Sequence, residues 1–163
     1  AQEVVFHLKA QPLYVSDAMP KDVLVSVRAL LASDNQALAD LGSDLHKWLS
    51  QGSLCLRADP FWTSCLTLFE IPESLVPVLG ADCVLFKGDV NYRRLLDDRH
   101  WPFSMPLADI PNQVSVPYAA LRSIKSEVVC GIPAGIVSLM YQRDRDWLTN
   151  GRWGLVQFVQ PNH

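Results

Sequence analysis

Residues 84–94 constrain the fold of this chain more than any other stretch. An apolar strand pattern over residues 84–86 runs into Lys87, Gly88 and Asp89, and a helical pattern of apolar residues follows. In an open α/β sheet, ligands bind outside the carboxyl ends of the strands. The segment therefore predicts a β–α step with a candidate site where its strand ends.

The same alternation of strand and helix recurs along the chain. Residues 3–8 have a strand pattern, Pro20 begins an amphipathic helix, and Asp34 is expected to cap a second helix that Gly52 ends. Further strands are predicted at residues 53–57, 83–86 and 155–159, and short helices at residues 72–79 and 134–142. Such alternation indicates parallel strands joined by helices, which is an α/β fold.

Length and composition favour a single domain over residues 1–163. Hydrophobic residues make up 49% of the 163 positions, which is enough to bury one sizeable core. A net charge of −3 with scattered cations argues against nucleic acid or an anionic membrane as partner. No apolar run approaches the ~20 residues of a membrane helix, and the first residues lack a signal-peptide pattern, so we expect a cytoplasmic protein.

Asp89 is the candidate metal ligand. It directly follows a predicted buried strand, and hard cations such as Mg²⁺ or Mn²⁺ prefer carboxylate oxygens. An Asp at the start of a helix is also a common N-cap, which is the competing interpretation. Lys87 and Asn91 flank it and are equally compatible with surface positions.

Residues 122–126 form the candidate phosphate-binding segment. They place two cations and two hydroxyls in five positions, and such a set can hold a phosphate through charge-assisted hydrogen bonds. A solvated strand edge is the alternative. The apolar segments on either side favour a site, because charges embedded between them are expected to be paired. The five residues are Arg122, Ser123, Ile124, Lys125 and Ser126.

Arg152 is the last candidate for ligand binding. It lies between Gly151 and Trp153, just before the final predicted strand. From there it can reach a ligand at the edge of the sheet, although a surface turn explains it equally well. The residues alone are compatible with both interpretations of Arg152.

Two motifs resemble those of one protein family. Residues 86–95 resemble the Lys-Gly-Asp-x-Asn-Tyr-Arg-Lys segment of the metal-dependent damage-control phosphatases. Residues 122–125 resemble the Arg-Thr-x-Lys signature of their sugar-phosphate subgroup. Residues 59–63 and 153–158 are also similar to family segments, so the resemblance covers essentially the whole chain.

The resemblance implies a function and a role for each candidate. Asp89 would be a catalytic metal ligand for Mn, Co, Ni or Mg, and residues 122–126 would form the phosphate side of the substrate site. Arg152 would take a basic substrate-contacting position where the family has Lys, and Ser123 replaces the more frequent Thr. The implied substrate is a small phosphometabolite such as fructose 1-phosphate or fructose 6-phosphate. We therefore expect a three-layer α/β/α sandwich with a mostly parallel, Rossmann-like sheet.

The chain also departs from the family pattern. The family's Asp-Asn metal pair and its helical N-terminal region have no copy here, so we expect the chain to be the C-terminal part of a larger enzyme and inactive alone. That missing N-terminal part would be its partner. Two alternatives remain: methyl transfer from S-adenosylmethionine to protein carboxylates, although no Gly-rich adenosine loop is present, and a non-catalytic domain fragment.

Overall fold

A computed structural model describes residues 2–13 and 17–160. The chain divides into two compact units, Ala1–Cys65 and Leu66–His163. Each unit combines helices with its own sheet, which confirms the predicted α/β class. The single domain over residues 1–163 stays a prediction.

The first unit is a parallel β–α–α–β arrangement. Strand β1 (Val4–Lys9) pairs with β2 (Leu54–Asp59), and helices α1 (Pro20–Leu31) and α2 (Gln36–Gln51) connect them. The N-cap of α2 is Asn35, whose side chain accepts from the N–H groups of residues 37 and 38, so the predicted Asp34 cap is wrong by one position. Gly52 ends α2 as predicted, because its φ of 76° is left-handed.

The second unit holds a three-stranded mixed sheet. Strands β3 (Val84–Lys87) and β4 (Tyr118–Ser123) are parallel, and β5 (Gly154–Val159) is antiparallel to β4. Helix α3 (Asp89–Leu95) follows β3, and α4 (Ala134–Arg143) lies between β4 and β5 in the chain.

The antiparallel direction of β5 departs from the predicted parallel strands. The N–H of Gly151 donates to the Ile124 carbonyl at 3.0 Å, and the N–H of Ile124 donates to the Trp153 carbonyl at 2.8 Å. The chain thus returns to the sheet at the end where β4 left it. A strand that starts there must run back along β4.

Short 3₁₀-helices fill the connections. The helix predicted at residues 72–79 is of this type, and Pro77 lies inside it, where a proline cannot donate to an α-helical ladder. In the described part of the chain, the 3₁₀-helices are Pro60–Thr63, Leu68–Glu70, Glu73–Gly80 and Leu107–Asp109. Within residues 2–13 and 17–160, every helix is too short or too polar to cross a bilayer.

The second unit has a buried core that includes residues of α3 and β4. Most of its large side chains with at most 2% exposure come from α3, β4 and the segments around α4. They include Tyr92, Leu95, Leu96, Tyr118, Val129, Cys130 and Trp147. Tyr92 in α3 and Tyr118 in β4 both belong to this core.

Candidate active site

Gly88 sets the direction of the chain between β3 and α3. Its φ of 100° and ψ of 161° lie in a region that is essentially restricted to glycine. Its N–H donates to the Leu121 carbonyl at 2.7 Å, which ties the turn to β4. Gly88 occupies the N-cap position of α3 and Asp89 is the first helical residue, so the interpretation of Asp89 as an N-cap is wrong.

The Asp89 carboxylate binds β4 and the loop after it. Oδ1 accepts from Nη2 of Arg122 at 2.5 Å and from the N–H of Lys125 at 3.2 Å. The Asp89 side chain is 16% exposed. Oδ2 accepts no hydrogen bond from any residue that the structure describes. One carboxylate oxygen is thus held by the protein, and the other is available to a ligand.

Arg122 is buried rather than open to solvent, with a side-chain exposure of 0%. Besides its ion pair with Asp89, it donates from Nη1 to the Val128 carbonyl at 2.6 Å. Its Nη2 also donates to the carbonyl and the hydroxyl oxygen of Ser126, at 3.1 and 3.2 Å. Burial lowers the pKa of the Arg122 guanidinium, and the charge of Asp89 opposes that shift. The guanidinium therefore ties Asp89 to the loop at residues 126–128.

The other residues of the predicted phosphate-binding segment differ in their exposure to solvent. Ser123 and Lys125 are exposed, whereas Ile124 is a core residue at 2% exposure. Carbons of the Lys125 side chain lie 3.4–3.9 Å from the position that a Cβ on Gly151 would take. The Lys125 stem thus lies along Gly151, and this contact leads its side chain toward the turn that holds Arg152.

Arg152 lies beside this loop because both neighbouring residues bond to Ile124. It is exposed, and its backbone N–H donates to Oδ1 of Asn150 at 3.0 Å. The turn is held further by Asp144, which accepts from the Trp153 indole and from Asn150, both at 2.8 Å. The Trp153 bond, and then that of Asn150, lower the pKa of Asp144. The structure brings the backbone of Arg152 next to the loop at residues 124–125.

Two residues at this site were not predicted from the sequence. The guanidinium carbon of Arg122 lies 4.5 Å from the ring centroid of Tyr92, and the Tyr92 hydroxyl donates to Oε1 of Gln157 at 2.8 Å. Burial raises the pKa of Tyr92, so it stays a neutral hydrogen-bonding group. Gln157 could have been noticed in the sequence, because it is a polar residue inside an apolar strand pattern.

The residues present fit a partial metal site. The free oxygen of Asp89 is the hard donor that a divalent cation prefers. Across residues 2–13 and 17–160, no group of three or more His, Cys, Asp or Glu side chains is arranged to hold a metal ion. Asp89 is therefore one residue that could hold a metal ion.

Comparison with known proteins decides the family. A family model described as "Damage-control phosphatase ARMT1-like domain" matches residues 1–140. The chain belongs to this family. The match includes Asp89 and the loop at residues 122–126, whereas Arg152 and β5 follow the matched region. The family resemblance inferred from the two motifs is confirmed.

Curated relatives agree with this assignment. Proteins named Damage-control phosphatase ARMT1 are 31% identical in Xenopus laevis, over 96% of this chain, and 30% identical in Mus musculus, over 99% of it. The Danio rerio protein of the same name is 29% identical over 99% of the chain. The chain spans only 37–38% of the length of these relatives. Their names indicate a phosphatase and do not favour the methyltransferase alternative.

Proposed function

We propose that this chain carries part of the active site of a metal-dependent phosphoric monoester hydrolase that acts on small phosphometabolites. The substrate class would be that of fructose 1-phosphate or fructose 6-phosphate. The observation that carries this proposal is the carboxylate of Asp89 at the end of β3, bonded to the backbone of Lys125. A carboxylate that could bind a metal ion and the residue that carries a cationic side chain are thus joined directly by a hydrogen bond.

Asp89 would hold the divalent cation, which we propose to be Mn, Co, Ni or Mg. The supporting observation is that Oδ1 of Asp89 accepts two hydrogen bonds, whereas Oδ2 accepts none from the described residues. A bound cation would neutralise negative charge on phosphoryl oxygens during hydrolysis. The protein itself fixes the carboxylate before any ligand arrives, which avoids reorganisation during the reaction.

Exposed groups beside Asp89 would bind the phosphoryl oxygens. The Lys125 ammonium and the Ser123 hydroxyl are accessible, and both can donate charge-assisted hydrogen bonds to a phosphate. Arg152 would add a second cation from the adjacent turn, with the planar fork that suits a phosphate. Ile124 and Ser126 would contribute through the backbone that shapes this segment.

The complete enzyme would need more than this chain. Because the chain spans 37–38% of its relatives, we propose that it is the C-terminal part of a longer cytoplasmic protein. The missing N-terminal part would supply further metal ligands, so the isolated chain would be inactive. The three-layer α/β/α sandwich with a Rossmann-like sheet stays a prediction for that complete protein.

The test is phosphate release from fructose 1-phosphate by the full-length protein with added Mn²⁺. Replacing Lys125 by Gln removes one charge-assisted hydrogen bond of about 1.5–3 kcal/mol, so KM should rise about tenfold or more. Lys47→Gln, at an exposed position on α2, is the matched control and should leave KM unchanged. Absence of metal-dependent phosphate release would contradict the proposed function. An unchanged KM in Lys125→Gln would show that Lys125 does not bind the substrate.

A further inference from the structure

We propose that the loop at residues 144–153 is a positioning element for Lys125, in which Asp144 fixes the loop and Gly151 leaves the space that holds the Lys125 stem. The inference rests on the proposed function, because it concerns the lysine that would bind the phosphoryl oxygens. It extends the sequence-based prediction, which gave a ligand contact in this loop to Arg152 alone.

The backbone fixes where this loop lies relative to Lys125. Ile124, which precedes Lys125, accepts from the Gly151 N–H at 3.0 Å and donates to the Trp153 carbonyl at 2.8 Å. This pairing continues that of β4 with β5. Ile124 is also a core residue with 2% exposure, so it is held from both its backbone and its side chain. Gly151 therefore lies beside Lys125 because the sheet itself brings the two segments together.

The Lys125 stem lies directly on the backbone of Gly151. A Cβ at Gly151 would be 3.4 Å from Cε, 3.5 Å from Cγ and 3.9 Å from Cδ of Lys125. These are ordinary contact distances, so three carbons of the stem lie along the same side of the glycine. Lysine stems commonly pack against neighbouring groups in this way while the ammonium stays in water. A longer side chain at residue 151 would compete with the stem for this space.

Backbone conformation alone does not account for the space at Gly151. Gly151 has a φ of 72° and Gly52, at the end of α2, has a φ of 76°, so a left-handed backbone favours glycine at both positions. A Cβ at Gly52, however, would meet no atom of the described residues within 4 Å. Gly151 therefore differs from Gly52 because its missing side chain also leaves room for Lys125.

Asp144 ties the loop together. Its Oδ2 accepts from the indole N–H of Trp153 and from Nδ2 of Asn150, both at 2.8 Å. The guanidinium carbon of Arg143 lies 5.1 Å from the ring centroid of Trp153, within the range of a cation–π contact. One carboxylate thus connects the start of the loop with residues on both sides of Gly151.

The consequence is that Lys125 is held at two points. Its backbone N–H donates to Asp89 at 3.2 Å, and its stem lies on Gly151. The ammonium at the end of the stem is therefore restricted in direction before a phosphate arrives. A cation placed in this way needs little rearrangement when negative charge develops on phosphoryl oxygens.

The first test compares Gly151→Asn with Gly52→Asn in the full-length protein. Asparagine tolerates a left-handed φ, so the two changes are matched in their demand on the backbone. The measurement is the Kd for inorganic phosphate by titration calorimetry with Mn²⁺ present. We expect Gly151→Asn to raise this Kd about tenfold, because the displaced Lys125 loses a charge-assisted hydrogen bond to phosphate. Gly52→Asn should leave the Kd unchanged, and equal Kd values in the two variants would overturn the proposal.

A second measurement separates an effect on Lys125 from a general disturbance of the fold. Lys125→Gln lacks the ammonium, so adding Gly151→Asn to it should change the Kd for phosphate by less than about twofold. A further tenfold loss of affinity in the double variant would show that Gly151 acts independently of Lys125. That result would overturn the proposal.

A third comparison tests Asp144 against Asp146 in the same loop. Asp144→Asn and Asp146→Asn each remove one negative charge, but the side chain of Asp146 bonds to no residue in the described part of the chain. Charge removal alone should lower the Kd for phosphate in both variants. Because Asp144→Asn also weakens the bonds that hold the loop, we expect its Kd to rise about threefold instead. A lower Kd in both variants would contradict the positioning role of Asp144.

Failure of this proposal and failure of the proposed function give different results. If the unaltered protein binds phosphate but releases none from fructose 1-phosphate, the proposed function fails, while the Kd comparisons still decide the role of Gly151. If the unaltered protein hydrolyses fructose 1-phosphate and Gly151→Asn keeps its Kd for phosphate, the positioning proposal fails alone.

Discussion

Asp59 in the first unit and Asp89 in the second stand at the same kind of position but have opposite surroundings. Each is an aspartate at the junction between a parallel strand and the helix that follows it. Asp59 accepts from the N–H of Phe61, two residues ahead, at 2.8 Å, and so caps a 3₁₀-helix. Asp89 accepts from groups 33 and 36 residues away. The partner of Asp59 is therefore local, whereas the partners of Asp89 come from distant parts of the chain.

The turn that surrounds each aspartate explains the difference. Pro60 follows Asp59 and begins the 3₁₀-helix directly, so the Phe61 N–H is within reach of the Asp59 side chain. Gly88 precedes Asp89 and takes the N-cap position with a φ of 100°. This shift places Asp89 one residue inside α3, where its carboxylate meets β4 instead of its own backbone.

The largest expected difference between the two aspartates is in stability. Asp89→Ala leaves the buried Arg122 charge unpaired, so amides of β3 and β4 should lose about 3–5 kcal/mol of protection against hydrogen exchange. Asp59→Ala removes only a cap and should cost about 1 kcal/mol. Adding Arg122→Met to Asp89→Ala should cost less than the sum of the two single changes. Equal losses for the two aspartates would remove the distinction between cap and site.

A smaller expected effect is a pH dependence of stability that comes from His7 in the first unit. His7 packs edge-on against Trp62 at 5.9 Å, and its Nδ1 is buried without a hydrogen-bond partner in the described part of the chain. Burial, and then the charge of Arg57, lower the pKa of His7 below 6.5, while Asp59 opposes the shift. The folded state therefore binds the proton less readily than the unfolded state, and the free energy of unfolding should fall as pH drops below about 6.5.

Variants test the origin of that pH dependence in urea denaturation at several pH values. His7→Gln should flatten it, whereas His46→Gln, at an exposed position on α2, should not. Asp59→Asn should steepen it, because the charge that favours protonated His7 is removed. A slope that survives His7→Gln would assign the pH dependence to other groups.

The sequence predicted the helices and strands better than the contacts that the candidate site residues make. The strand-to-helix patterns located β1, α1, β3 and β5 to within about one residue. The two motifs also identified the part of the chain where Asp89 meets the loop at residues 122–126. These features depend on local periodicity and residue type, which a sequence displays directly.

Three features could not be predicted because they depend on tertiary contacts. The burial of Arg122 follows from the packing of Tyr92 beneath it, 30 residues earlier in the chain. The direction of β5 follows from the return of the chain beside Ile124. The N-cap position of α3 depends on the conformation of Gly88, since a strand followed by Gly-Asp is equally compatible with a capping aspartate.

The most direct test of this account compares Asp89→Asn with Asp59→Asn in the full-length enzyme. Both changes remove one negative charge and keep a side chain that accepts a hydrogen bond. The measurement is Mn²⁺-dependent phosphate release from fructose 1-phosphate. We expect Asp89→Asn to lower kcat/KM by about 100-fold or more, and Asp59→Asn to change it by less than about twofold. An Asp89→Asn enzyme as active as the Asp59→Asn enzyme would contradict the assignment of Asp89 to the active site.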